Sequence, residues 1–518
     1  MRLAAVVLCA LLLAVNANGV DTGRGKGKGK GKGKGKDDNV STSGCDILSA
    51  VLPGQVVWPE SASYGISNKY WSQRQSEIHP SCFLTPTDTA SVSVAMEILT
   101  SNSIPFAVKS GGHTAFAKGS NIGPEGVTID LRLLNTISVS PDRQTVAVGP
   151  GNRWANISST LDPLGLAVVG GRVSDPGVGG LTLGGGISYF SGQRGWACDN
   201  VRAYEVVLAS GDIVTASPIS NADLYWALRG GAATNLGIVT RFDLASFEQG
   251  PLWANTLLFD ASLNSTLIPL FQNLTVHGLP SDPGAHTYFG FVRLPTGYLI
   301  YSDQFHANPS SSDPNQVPAA FEPFAAVPAL VRNPRMSNLT SLLHAIEQAY
   351  GDRQIWMNVA VRGTSAQLLQ DIVPLHEAHV NRMLGARGAN ETTITPYLTF
   401  QPIPVNVLDA MQVNGGNALG LNRDDGPLVI IQSATTWTNP LLDDAVEMST
   451  RVFLNDVQAL AKKRGLYHGF VYMNYAENTQ DVFGSYGAES LQKLRGVAKK
   501  YDPNGLLQDL WKGYFKLW

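Results

Sequence analysis

The chain has 518 residues, 44% hydrophobic and 15% charged, with a net charge of −3; that is long enough for two domains with ample core, and its charged fraction is below the average of about 25%. Seven of its positive charges lie between residues 24 and 36, which leaves −10 for the rest. Such an acidic body excludes a nucleic-acid binder working through a basic surface.

Residues 1–18 carry Arg2, an apolar run from Leu3 to Val15 and then small polar residues, which predicts a secretory signal peptide too short to span a bilayer. No later apolar run approaches the roughly 20 residues of a membrane helix, so a secreted, extracellular protein with no membrane span is expected. Residues 19–40 hold Arg24 followed by six Gly-Lys pairs. Glycine denies this segment a core and like-charged lysines repel, which predicts a disordered basic tether. It could make weak contact with an anionic surface, or serve only as a solvated linker.

Cys9 would leave with the signal peptide. Cys45 and Cys82 flank the entry to the first domain in an oxidising compartment, which predicts a disulfide and leaves Cys198 over. Asn-x-Ser/Thr triplets at Asn39, Asn156, Asn264, Asn273, Asn338 and Asn390 predict a glycoprotein, with only some of the sites used.

From Cys82 onward the pattern alternates. Thr87–Asn102 reads as a helix capped by Thr87 or Asp88; Phe106–Val108, Val127–Leu131 and Thr145–Val148 read as strands. Gly149 to Asn152 turns into a helix from Arg153 to Leu161, whose N-terminus could face an anion. A strand near Glu205, a helix at Ala222–Arg229 and a loop from Gly230 to Val239 follow. Strand-like pieces at Tyr288–Arg293 and Tyr298–Tyr301, helices at Asn338–Tyr350 and Ala366–Leu384, and a helix at Ala488–Lys500 stopped by Asp502-Pro503-Asn504-Gly505 complete the chain. The C-terminal segment from Leu506 is aromatic-rich.

Two stretches carry the chemistry. In Pro105 to Phe116 an apolar strand runs into Ser110-Gly111-Gly112-His113-Thr114, a turn whose bare N–H groups can approach a diphosphate closely. Residues 170–200 hold ten glycines and Cys198. So many glycines cost backbone entropy and fill no core, which suits backbone lying flat against a ligand. None of these glycines follows a first strand with G-x-G-x-x-G spacing and an acidic residue about 20 further on, which argues against a Rossmann domain.

The two stretches together, followed by Asn200-Val201 and Glu205 to Asp212, resemble the berberine bridge enzyme-like FAD-linked oxidases of the vanillyl-alcohol oxidase superfamily, in a fungal-type version. The resemblance runs from about residue 78 to the end. It implies an α+β fold of two domains: a PCMH-type FAD-binding domain at 41–250, a substrate domain at 251–460 built on an antiparallel sheet covered by helices, and a segment 461–518 returning to the FAD domain. It also implies FAD bound covalently at His113 (flavin 8α-methyl) and Cys198 (flavin C6), one disulfide pair plus one leftover cysteine being the count a flavin thioether would produce. Cofactor contacts are expected from Ser110, Gly111, Gly112, Thr114, Gly179, Gly180, Gly184, Gly185, Ile238 and Asn474.

The implied activity is oxidation of a C–H bond next to a hydroxyl or amine of a small molecule or oligosaccharide, with oxygen reduced to hydrogen peroxide. The alternatives are an oligosaccharide oxidase, an oxidative cyclase or desaturase of secondary metabolism, and a non-enzymatic secreted scaffold working through its tether. Val429 to Gln432 and Trp437 match the family's strand over the flavin, with Gln432 able to orient a hydroxyl but not to act as a base. Tyr472-Met473-Asn474-Tyr475 matches its Asn-Tyr pair and makes Tyr475 the candidate base; a phenol, with an ordinary pKa near 10, needs a cation or strong donor beside it for that role. Ile187 and Arg194 stand where relatives carry tyrosine. No metal is expected: His376 and His379, three apart on a helix, lack a carboxylate-rich partner motif and read as a solvated face.

Overall fold

The computed structural model describes residues 43–386, 389 and 393–518. The expected signal peptide, the Gly-Lys tether and the triplets at Asn39 and Asn390 lie outside the described residues.

Three sheets organise the chain. The first is β1 (Val56–Val57), β2 (Cys82–Leu84), β4 (Val127–Asp130) and β3 (Phe106–Lys109) in that order, parallel across β2, β4 and β3. The crossover between β2 and β3 is helix Thr89–Ser101, which starts where Asp88 accepts the Ser91 N–H at 2.8 Å, an N-cap bond. Cys45 and Cys82 form a disulfide beside this sheet. The second sheet joins β5 (Ile137–Val139), β6 (Thr145–Val148), β7 (Leu166–Val168), β8 (Val201–Val207), β9 (Ile213–Ala216) and β10 (Ile238–Glu248), all antiparallel.

The third sheet has eight antiparallel strands in the order β14 (Val331–Ser337), β11 (Leu252–Asp260), β13 (Gly297–His306), β12 (Ala285–Leu294), β16 (Ile394–Ile403), β17 (Leu428–Trp437), β15 (Arg353–Arg362) and β18 (Tyr467–His468). Side chains alternate between its faces with period two. Phe289, Phe291, Ile355, Val359, Leu398, Phe400, Val429 and Ile431 pack under helices Asn264–Asn273, Ala366–Leu384 and Asp443–Lys463. The opposite rows carry His286, Tyr288, Trp356, Asn358, Gln401 and Gln432, and this polar and aromatic face contributes Trp356 to a large cavity.

Two expectations need correction here. His376 and His379 are fully buried rather than solvated. They fall on the apolar stripe of helix Ala366–Leu384, in step with Leu369, Ile372, Val373, Val380 and Met383, and meet Phe453, His376 edge-on and His379 stacked; the i, i+3, i+4 spacing of that stripe marks the buried face. The helix expected over Asn338–Tyr350 ends at Ala345. Beyond it the chain unwinds, bringing Gln348 to the cavity and the Tyr350 hydroxyl to Arg153 at 2.7 Å.

The C-terminal segment runs back along the first two sheets. Trp511 bridges to Phe106, the Phe515 carbonyl accepts from Thr234 at 3.0 Å, and Phe515 and Leu517 are buried.

Candidate functional site

A cavity opening to solvent runs between the glycine stretches, the loop at 232–239, the C-terminal segment and the third sheet. Of the expected residues, Ser110, Gly111, Gly112, His113, Thr114, Gly179, Gly180, Gly184, Ile238, Asn474 and Tyr475 all line it.

The two glycine stretches meet backbone to backbone. A Cβ on Gly111 would lie 2.2 Å from the Gly177 nitrogen, and one on Gly177 would lie 2.3 Å from the Gly111 nitrogen, so neither position admits a side chain. Gly112, at φ +65°, makes the turn, a conformation glycine adopts without penalty. Among the described residues the N–H groups of Gly111, Gly112, His113 and Thr114 find no protein acceptor. Four successive free donors around a turn are what an anion-binding nest requires. A Cβ on Gly180 would meet nothing within 4 Å, which leaves that backbone bare to the cavity.

His113 stacks flat on Trp71, with ring centroids 4.1 Å apart, and stands edge-on to Trp356. Burial, with Arg153 nearby, pushes its pKa down to about 3, so the imidazole is neutral. Its Nε2 is buried without a hydrogen-bond partner. An orphaned neutral nitrogen, free backbone donors and a bare glycine wall fit a flavin dinucleotide.

Cys198 does not fit the role expected of it. It is fully buried and is not among the cavity-lining residues. Its Sγ donates to Asp199 Oδ1 at 3.6 Å, its N–H to the Gly185 carbonyl, and it packs in the core that holds Tyr204, Tyr225 and Tyr486. Burial first, then Asp199, pushes the thiol pKa far up, the opposite of what a reactive thiolate needs. Gly185, at φ +112°, serves as a turn with Trp196 stacked over it rather than as a contact surface. The helix N-terminus at Trp154 does not face an anion either: the carbonyls of Pro176 and Ser174 accept from Trp154 and Ala155.

Gln432 lies on the cavity-side face of β17 but does not line the cavity. Its cross-strand neighbour Asn358 donates to the Tyr472 carbonyl at 3.0 Å and accepts from the Tyr472 N–H at 2.9 Å, so the loop carrying Tyr475 roofs that part of the sheet. Arg194 packs over Phe247, away from the cavity, whereas Ile187 lines it.

The group that sequence reasoning missed is Arg172. Its Nη2 donates to the Tyr475 hydroxyl at 2.6 Å, and its Nη1 donates to Gln401 Oε1 at 2.7 Å and stands 3.0 Å from His286 Nε2. Burial works against its charge, but the oxygens of Tyr475, Tyr288, Tyr189 and Tyr472 hold its pKa above the ordinary value. An arginine directly after Gly170-Gly171, inside the glycine-rich stretch, was the available signal. Tyr475 is thereby placed between a cation and the rings of Trp356 and Tyr472, with centroids at 5.4 and 4.9 Å.

Residues 80–217 match the family described as FAD binding domain. The FAD-dependent monooxygenase tpcD of Cochliobolus heterostrophus is 36% identical over 458 residues, spanning 87% of this chain and 88% of that protein. Among solved structures, the BBE-like 1 protein of Physcomitrella patens is similar with a TM-score of 0.73 at 20% identity, covering 90% of this chain and 98% of that one. The xylooligosaccharide oxidase of Myceliophthora thermophila C1, solved with xylobiose, gives a TM-score of 0.72 at 19% identity over 90% and 98% of the two chains.

Proposed function

The chain belongs to the berberine bridge enzyme-like, PCMH-type FAD-linked oxidoreductases, and from that premise we propose that it is a secreted oxidase, linked to FAD through His113 alone, that oxidises a C–H bond next to a substrate hydroxyl or amine. The observation that carries this reading is the juxtaposition, in one cavity, of an orphaned imidazole at His113 and a tyrosine hydroxyl held by Arg172.

Bound FAD would supply the two-electron acceptor and the chemistry by which oxygen is reduced to hydrogen peroxide. The protein supplies the rest. Residues 111–114 and 180 would hold the dinucleotide by backbone donors and close approach. His113, kept neutral by burial, presents a nitrogen lone pair for the covalent link. Tyr475, reacting as its phenolate, takes the proton that leaves the substrate heteroatom and becomes the phenol, and the Arg172 guanidinium beside its oxygen favours the anion that starts the step. Trp356 and Tyr472 fix the Tyr475 ring from its flanks.

A second reading, oxygen insertion, is favoured by the similarity to a protein named a monooxygenase. Running the reaction under labelled oxygen separates the two: label only in peroxide supports the oxidase, and label in the product supports insertion. For the cofactor, acid-precipitated protein should remain yellow in wild type and in Cys198→Ala and turn colourless in His113→Ala. Colour surviving in His113→Ala, or lost in Cys198→Ala, would defeat the assignment.

A further inference from the structure

A strap at residues 70–76 grips the turn that carries His113, and it lies outside residues 80–217, the stretch that matches the FAD binding domain. The Trp71 N–H donates to the Gly112 carbonyl at 3.0 Å, and Gln75 Nε2 donates to the Thr114 carbonyl at 2.8 Å. From another side, Arg153 Nη2 donates to the Gly111 carbonyl at 3.0 Å. In a trans peptide the N–H points opposite to the C=O, so holding the carbonyls of Gly111 and Gly112 turns the N–H groups of Gly112 and His113 away from these donors. The strap is itself anchored. The Tyr70 hydroxyl donates to the Ser120 carbonyl at 3.0 Å, the Gln73 N–H donates to the Asp352 carbonyl at 2.8 Å, and Arg74 pairs with Glu447.

The same strap holds the side chain. The Trp71 indole lies flat on the His113 imidazole, with 4.1 Å between centroids and 6° between planes. Trp356 of β15 stands edge-on to both rings, 5.2 Å from Trp71 and 6.4 Å from His113. Histidine's χ2 torsion is soft, and Nε2 of His113 has no hydrogen-bond partner to fix it; packing in this aromatic slot supplies the restraint. Trp71 is buried and is not among the cavity-lining residues, so its effect on a bound flavin passes through His113.

We propose that Trp71 is a positioning residue for flavin attachment: its indole face sets the plane of the His113 ring so that a ring nitrogen meets the flavin methyl. This rests on the reading of His113 as the attachment point, and it adds to that reading a residue from outside the matched domain. Attachment exchanges one C–H of the methyl and the imidazole N–H for a C–N bond, releasing two electrons and two protons. The electrons go to the flavin and on to oxygen, which takes them up with the protons as hydrogen peroxide. Bond formation of this kind gains most from holding the reacting atoms at the right distance and angle.

The test follows attachment in full-length protein expressed without flavin and then supplied with FAD in air. Bound flavin is read by absorbance after desalting, and linked flavin by the colour of acid-precipitated protein and the mass of the His113 peptide. Trp71→Leu removes the flat face and keeps an apolar side chain, whereas Trp71→Phe keeps a face. The leucine variant should link its bound flavin about ten- to a hundredfold more slowly than wild type, the scale of a reacting group misplaced by about 1 Å, and Trp71→Phe should recover most of the rate. Loss of structure alone would lower uptake and linking together, while loss of positioning lowers linking per bound flavin.

Linking at the wild-type rate per bound flavin in Trp71→Leu would overturn the proposal, and linking as slow in Trp71→Phe as in Trp71→Leu would overturn the role of the aromatic face. Should Trp71→Leu fail to fold or to take up flavin, proton resonances of flavin-free wild type decide. The imidazole protons of His113, identified by their loss in His113→Ala, should lie upfield of those of exposed histidines, as protons over an indole face do; resonance among the exposed histidines would overturn the proposal. Wild type that binds FAD without linking it to His113 would defeat the attachment reading and this proposal with it, whereas linked wild type beside an equally linked leucine variant would defeat this proposal alone.

Discussion

At the scale of single residues, the account turns on Tyr475 and its cation. General-base help is worth about 10²- to 10⁴-fold, so Tyr475→Phe should slow anaerobic flavin reduction by that order and leave reoxidation by oxygen nearly unchanged; reduction at the wild-type rate would place the proton acceptor elsewhere. Gln432→Ala, at a position roofed by the Tyr472 loop, should change that rate little, while Gln401→Ala, which removes an acceptor from Arg172, should slow it. Motif matching reached His113 and Tyr475 because each sits in a short, unusual string. It did not show that Cys198 lies outside the cavity lining, because a glycine-rich string does not say which of its residues face the ligand. It missed Arg172, Gln401 and Trp356 because their meeting depends on register between β12, β15, β16 and the glycine stretch, hundreds of positions apart.

At the scale of elements, the glycine stretches and helix Ala366–Leu384 make opposite kinds of prediction. Gly111→Ala drives a Cβ into the Gly177 backbone, and overpacking of this kind costs about 1–3 kcal/mol, so its denaturation midpoint should fall. Gly180→Ala adds a Cβ that meets no protein atom within 4 Å and should keep the midpoint of the flavin-free protein while lowering flavin content. A midpoint unchanged in the first, or flavin content unchanged in the second, would contradict these assignments.

The helix carries His376 and His379, both held below the ordinary pKa by burial, His379 at about 3. Around them stand Tyr298, Tyr397, Ser449, Phe453 and Arg382. Because the folded state favours the neutral rings, the unfolded chain takes up protons that the folded one refuses once pH drops below about 6.5. Stability present above that pH is lost on the way toward pH 3, at up to about 1.4 kcal/mol per unit for each ring. His113 and His286 add to the same trend, so His376→Leu/His379→Leu should shallow the acid loss in urea titrations without removing it. An equally steep loss would show that the pair is not its source. The helix itself was legible to its end residues from periodicity, and the error about its histidines came from judging residue type before position on the stripe.

At the scale of the whole molecule, three sheets and a returning C-terminus enclose one cavity between them. The strands at Phe106, Val127 and Tyr288 could be read from apolar runs and turn residues, but not the parallel pairing of the first sheet. The order of strands in the eight-stranded sheet could not, since β15 pairs with β17 and β18 across long connections that no local pattern encodes. The Cys45–Cys82 bridge closes a separation of 37 residues at the entry to the fold and should contribute about 3 to 4 kcal/mol in the chain-entropy model, read as the loss in denaturation free energy of Cys45→Ser/Cys82→Ser. The enclosed cavity, rather than any one strand, expresses the central claim that this fold holds a flavin on His113 and works as an FAD-linked oxidoreductase. Peptide mass spectrometry of the purified protein tests that claim most directly: FAD should be found on the peptide containing His113 and not on the one containing Cys198, and an unmodified His113 peptide, or FAD on the Cys198 peptide, would contradict it.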